Sequence, residues 1–189
     1  MSKRILVFGV AVLLNLIFSG NTFAQAQIGL NGAGVKLGFV DPEGVSSVIG
    51  FGALVDLGTI TPDIMLEGNL DYWSKSVGSS SANSAELSFR DLIIGGTAKY
   101  MFKNSSPKFR PFASGGLAFH LFKAAVKSSN PFVGNSDNSE LKIGIHLGGG
   151  LFYNLSPQLD LLADGRYTIV SDASQIALQA GVVYKLTKE

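Results

Sequence analysis

Three observations predict an all-β fold, an eight-stranded antiparallel up-and-down transmembrane β-barrel preceded by a signal peptide. Apolar residues alternate with polar or small ones at period two, not 3.6, along eight successive runs of the chain. Charge is expected on one side of that alternation only. Past the N-terminal segment, no stretch carries the ~18 consecutive apolar residues that mark a membrane-spanning helix. Charged residues are 15% of the 189-residue chain and hydrophobic ones 46%, so it is too apolar for disorder and too sparingly charged for an ordinary soluble domain.

The chain opens with Lys3 and Arg4 before an apolar run from Ile5 to Phe18, followed by small residues at Ala24 and Ala26. This pattern is that of a secretory signal peptide covering residues 1–26, with cleavage after Ala24 or after Ala26. A transmembrane anchor is the alternative, but the run falls short of the ~20 residues that a spanning helix needs. The barrel domain is expected over residues 27–189. Its runs are Ile28–Val40, Val48–Ile60, Ile64–Ser76, Glu86–Phe102, Phe109–Phe122, Glu140–Leu155, Leu159–Val170 and Gln175–Leu186. Each reaches the ~9–11 residues that a tilted strand needs to cross a bilayer. Short proline-marked turns at Thr61-Pro62-Asp63, Asn104-Ser105-Ser106-Pro107 and Ser156-Pro157-Gln158 alternate with looser connections at Asp41–Ser47, Val77–Ala85, Ala124–Ser139 and Ser171–Ser174. Tight turns on one side and looser loops on the other are expected of a barrel with its tight end in the periplasm.

One face of the runs carries residues such as Val35, Leu37, Phe51, Leu70, Ile94, Leu117, Ile145, Leu161 and Leu178. The other holds the acids Asp56, Glu67, Asp71, Asp91 and Asp164, balanced by Lys36, Lys99, Lys142, Arg166 and Lys185, together with His120, His146, Gln175 and Gln179. The apolar face is therefore assigned to lipid and the charged face to the lumen, because only a closed sheet satisfies its backbone hydrogen bonds within a membrane. Tyr100, Phe102, Phe109, Tyr153 and Tyr184 at the tight-turn ends, with Phe39, Tyr72, Phe119 and Tyr167 at the opposite ends, form two aromatic belts. Of the 23 glycines, most that lie in the runs share the charged face, as a narrow interior filled by side chains requires. A balanced, enclosed set of charges implies a salt-bridge network that plugs the lumen.

With these features the chain resembles the eight-stranded outer-membrane β-barrel family, the group that includes the OmpA transmembrane domain, OmpX and the outer membrane protein β-barrel domain proteins. The last run sharpens the resemblance. Gln179, Gly181, Tyr184 and Leu186 are similar to the C-terminal signal by which outer-membrane assembly machinery recognises its clients. Two departures stand beside it: Leu186 replaces the usual terminal aromatic, and Thr187-Lys188-Glu189 trail beyond. The resemblance implies location in the cell outer membrane with both termini periplasmic. Its implied partners are outer-membrane lipids and lipopolysaccharide, the assembly machinery and periplasmic chaperones, and it implies a monomer.

Catalytic chemistry is sparse in this sequence. The absence of cysteine excludes disulfides, thiolate metal sites and cysteine nucleophiles, and 15 basic against 14 acidic residues leave no excess charge for a nucleic-acid partner. His120 and His146, on neighbouring runs at similar distances from the loop between them, are expected near one another, but a metal would need a third ligand such as Asp164, so two polar lumen residues are the simpler expectation and no cofactor is expected. Neither histidine is followed two residues on by serine, as a lipid A deacylase-like site would require: Phe122 and Gly148 occupy those places. The expected function is a non-enzymatic envelope or surface-interaction role with a plugged lumen. A small porin or solute-binding barrel is the alternative, a lipid A-modifying enzyme the second alternative, and a soluble lipocalin-like barrel the rival fold.

Overall fold

A computed structural model of the chain describes residues 26–77, 85–103, 106, 108–128, 136–171 and 173–186. The expected signal segment up to residue 25, residues 78–84, 129–135 and 172 of the looser connections, the turn residues Asn104, Ser105 and Pro107, and Thr187 to Glu189 lie outside the described residues. Eight strands follow one another: β1 (Gln27–Pro42), β2 (Val48–Thr61), β3 (Ile64–Val77), β4 (Ala85–Met101), β5 (Phe109–Ser128), β6 (Ser136–Ser156), β7 (Leu159–Ile169) and β8 (Gln175–Lys185). Each pairs antiparallel with its sequence neighbours, and β1 pairs with β8 to close the barrel. The described residues contain no helix.

Burial alternates with period two along the strands, so the two faces predicted by the sequence are the two faces of the closed sheet. Outward positions are exposed and apolar: Leu37, Phe51, Leu117, Ile145, Leu147 and Leu178 are each more than half accessible. In water such a surface would be an aggregation hazard; in lipid it is the required solvent match. Aromatics gather at its two edges, where Tyr100 meets Phe102 at 5.3 Å, Phe109 meets Tyr153 at 5.0 Å, and Phe51 meets Tyr72 at 5.4 Å between ring centroids.

Inward glycines let strands curve tightly without collision. A Cβ at Gly150 would sit 2.0 Å from the Ala163 carbonyl oxygen, and one at Gly116 would sit 2.1 Å from that of Gly96. At the tight-turn end the ladders are irregular, with register shifts between Ile28 and Gly32 and between Asp56 and Thr59. Gly58 stands in that irregularity at φ 89°, where a side chain is strained, and its N–H donates to Asp56 Oδ1 at 2.8 Å.

Two strands run further than the sequence pattern indicates. β5 continues to Ser128 and β6 begins at Ser136, so most of the expected loop Ala124–Ser139 is paired strand, with Ala124 opposite Asn138 and Val126 opposite Ser136. The physical reason is that the ladder is held by backbone groups and does not need lipid-facing side chains. The alternation of apolar residues that defined the runs stops at the edge of the lipid band, and the sheet does not.

Candidate functional site: a filled lumen and a projecting sheet

The lumen is stacked in three layers. Nearest the tight turns, Leu54, Phe112, Phe152, Leu162 and Val183 form an apolar cluster with Met65 and Met101 packed against it. Toward the loops, Val40, Trp73, Ile93 and Ala118 form a second cluster with Val48, Phe89, Phe122 and Ala177. The charges lie between. Lys99 and Glu67, both without solvent exposure, pair at 2.5 Å, and the Lys99 ammonium lies 4.5 Å from the Phe112 ring centre and 4.9 Å from that of Phe152. Lys36 reaches Asp71 at 3.1 Å, and the Arg166 guanidinium sits 3.0 Å from Asp164, 3.7 Å from Asp71 and 3.9 Å from Glu67. Gln179 donates to Asp71 at 3.2 Å. Three cations thus share three carboxylates contributed by β1, β3, β4 and β7, and Gln179 ties β8 to the same group.

The two histidines are far apart, correcting the expectation that their positions bring them together. His120 stands opposite Lys142 in the ladder while His146 stands opposite Gly116, four residues along β5, or about 13 Å at the usual strand rise. His120 Nδ1 lies 2.7 Å from Asp91 Oδ2, with its ring stacked on Phe122 at 5.5 Å. His146 Nε2 lies 2.9 Å from Thr97 Oγ1, which in turn accepts from Asn69 Nδ2 at 2.7 Å. Asp164, the third ligand considered for a metal, is engaged by Arg166 instead. Among the described residues no group of three or more His, Asp or Glu could hold a metal ion.

The remaining sequence-singled charges lie toward the two mouths. Asp56 and Lys185 line a vestibule of about 350 Å³ at the tight-turn end, where Asp160 pairs with Arg110 and, at 3.2 Å, with Lys185. Lys142 is at the loop end, where it meets Glu140 at 3.3 Å and donates to the Ser171 carbonyl at 3.0 Å. Asp160 and Arg110 escaped the sequence reading although they share parity with Asp164 and with Phe112. The apolar layers escaped it too: Trp73, Phe112 and Phe152 lie on the charged side of the alternation, and large apolar residues at those phases were the available signal. In β8, Gln179 and Gly181 face inward while Tyr184 is exposed on the outside, and Leu186, just past the strand, is exposed as well.

Filled in this way by two apolar clusters and the ion pairs between them, the lumen is expected to be sealed. In planar bilayers the pure protein is expected to give no stable open conductance; large, long-lived channels would overturn the sealed-lumen reading.

Outside the membrane band, β4, β5 and β6 project together. The β4–β5 ladder continues to Ala85 opposite Ser128, and β5 and β6 are 20 and 21 residues long against 11 for β7 and for β8. Because the β6–β7 ladder starts only at Ile145 opposite Ile169, the segment 136–144 of β6 is, among the described residues, paired on its β5 side alone. Its other edge has no ladder partner among the described residues and offers a template for adding a strand.

A closed eight-stranded barrel with an apolar exterior and an enclosed charged layer defines an integral outer-membrane protein. The family described as "Outer membrane protein beta-barrel domain" matches residues 10–185, and the chain belongs to it. The chain is similar in structure to Neisserial surface protein A, at 24% identity over 82% of this chain and 95% of that one, with a TM-score of 0.55. It is also similar to Ail, the attachment invasion locus protein of Yersinia pestis, at 16% identity over 84% of this chain and 100% of that one, TM-score 0.54. A major outer membrane protein from Thermus thermophilus matches at 12% identity over 84% of this chain and 100% of that one, TM-score 0.57. A search of curated proteins finds no match.

Proposed function

We propose that this barrel is a non-enzymatic surface-interaction protein that displays the projecting β4–β5–β6 sheet outside the cell, with both termini in the periplasm. The open edge of β6 over residues 136–144 carries the reading: an extended segment of a partner chain can pair with it through main-chain hydrogen bonds. Glu140 and Lys142 sit on that strand as charged residues that discourage self-pairing, in keeping with a monomer. The names of two structural relatives, a surface protein and an attachment protein, point the same way. Export relies on a signal peptide within residues 1–26, and delivery on periplasmic chaperones and on recognition of Gln179, Gly181, Tyr184 and Leu186 by the assembly machinery.

Because the chain has no cysteine, single substitutions report topology cleanly. Asn138→Cys is expected to react with a membrane-impermeant maleimide on intact cells, whereas Asp63→Cys, in the β2–β3 turn, is expected to react only after lysis. The reverse pattern would overturn the orientation. A change in lipid A mass on overexpression would overturn the non-enzymatic reading.

A further inference from the structure

The outer face carries one feature that lipid alone does not explain. Arg90 and Lys123 are exposed on the outward side of β4 and β5 and stand directly opposite one another in the ladder, one step beyond Leu92 and Leu121. Like charges in that relation destabilise a sheet. Neither has a hydrogen-bond or carboxylate partner among the described side chains, and the residues facing them on the adjoining strands are Ser74 and Ser139. Two cations at this level repel each other unless an anion sits between them. The same two strands carry, further into the membrane band, an open groove of about 530 Å³ floored by Gly96, Ala98 and Gly115 and walled by Leu66, Leu117 and Phe119. A Cβ added at Gly96 would meet nothing within 4 Å, so the groove is space above the sheet and not a packing contact. Six residues separate Arg90 from Gly96, about 20 Å of strand, a distance that a long acyl chain covers.

We propose that the outer face of β4 and β5 binds one phosphate-bearing lipid, its phosphate held between Arg90 and Lys123 and an acyl chain laid in the groove over Gly96 and Gly115. The guanidinium offers paired N–H donors to phosphate oxygens and the lysine a compact second charge. At the boundary of the hydrocarbon these contacts are shielded from water far better than on a soluble surface. The groove supplies what a free anion site lacks, a fit for the chain attached to the headgroup. The proposed orientation places this lipid in the outer leaflet, and that assignment of leaflet is the one part that rests on it.

Hexadecyl phosphate titrated into the folded full barrel in maltoside micelles tests the site, with the amide signals of Gly96 and Gly115 as readout and inorganic phosphate as the chain-free arm. Saturable binding of one equivalent is expected, with inorganic phosphate leaving both glycine signals in place. Arg90→Gln combined with Lys123→Gln is expected to weaken binding about tenfold or more. Gly96→Leu, whose Cβ would meet nothing within 4 Å and whose side chain would occupy the groove, is expected to weaken it while Trp73 emission shows the barrel intact. Unsaturable partitioning, equal response to inorganic phosphate, or undiminished binding by the double variant would overturn the proposal. None of these outcomes alters the maleimide pattern, so the site and the orientation fail separately.

Discussion

Lys99→Ala is expected to destabilise the barrel by about 3–5 kcal/mol, because it leaves the Glu67 carboxylate charged and enclosed with Arg166 at 3.9 Å as its nearest remaining cation. The loss is a desolvation effect more than the value of one contact. Replacing both partners by apolar residues of similar size, Lys99→Met with Glu67→Leu, is therefore expected to recover most of it. Lys103→Ala is the matched control: its partner Asp63 lies at 3.1 Å, but the lysine side chain is 83% exposed, so a loss of about 0–1 kcal/mol is expected. Urea unfolding in phospholipid vesicles, followed by emission of the buried Trp73, the only tryptophan, measures all four proteins. A Lys99→Ala loss no greater than that of Lys103→Ala would remove the buried pair from the account of stability.

Phe112→Ala is the second large effect, with an expected loss of about 3–5 kcal/mol in the same assay. Phe112 is 3% exposed, its ring lies 5.2 Å from that of Phe152, and the Lys99 ammonium sits against its face. Truncation removes apolar packing at the floor of the vestibule and one aromatic face from the cation at once. Because the two residues touch, combining Phe112→Ala with Lys99→Ala is expected to cost less than the two losses added. Strict additivity would show that the aromatic layer and the charged layer are energetically independent.

Much of this architecture was legible because a lipid-facing sheet obeys a severe rule: within the band every outward side chain must be apolar, small or aromatic, so the phase of each strand shows in residues such as Val35, Leu37 and Ile94. The interior obeys no comparable rule. Glu67, Asp71 and Arg166 could be assigned to the lumen by parity, yet which cation meets which acid depends on barrel shear and rotamers that a linear pattern does not encode. Trp73 and Phe112 escaped notice for the same reason, since a lumen accepts apolar and charged residues at neighbouring inward positions provided they fill its volume. Beyond the band the rule lapses altogether. That is why the pairing of Ala124 with Asn138 left no hydrophobic trace; Arg90, inside the run Glu86–Phe102 yet outward and charged, corrects the expectation that charge keeps to one face, and Lys123 lies just past the end of its run.

The seam between β1 and β8 sets an order of events. Every other ladder joins strands adjacent in sequence and can zip as the chain becomes available, but Gly32 meets Lys185, and Pro42 meets Gln175, only after the intervening strands are in place. Closure is therefore a terminal step, and a chain halted before Gln175 retains two raw edges. Glycine eases this last join. A Cβ at Gly38 would lie 2.0 Å from the Leu178 carbonyl oxygen, and one at Gly181 would lie 2.4 Å from that of Val35, so the incoming strand slides home past bare backbone. Placement of β8 and completion of the cylinder are thereby made the same event, and a barrel that lacks β8 stays open.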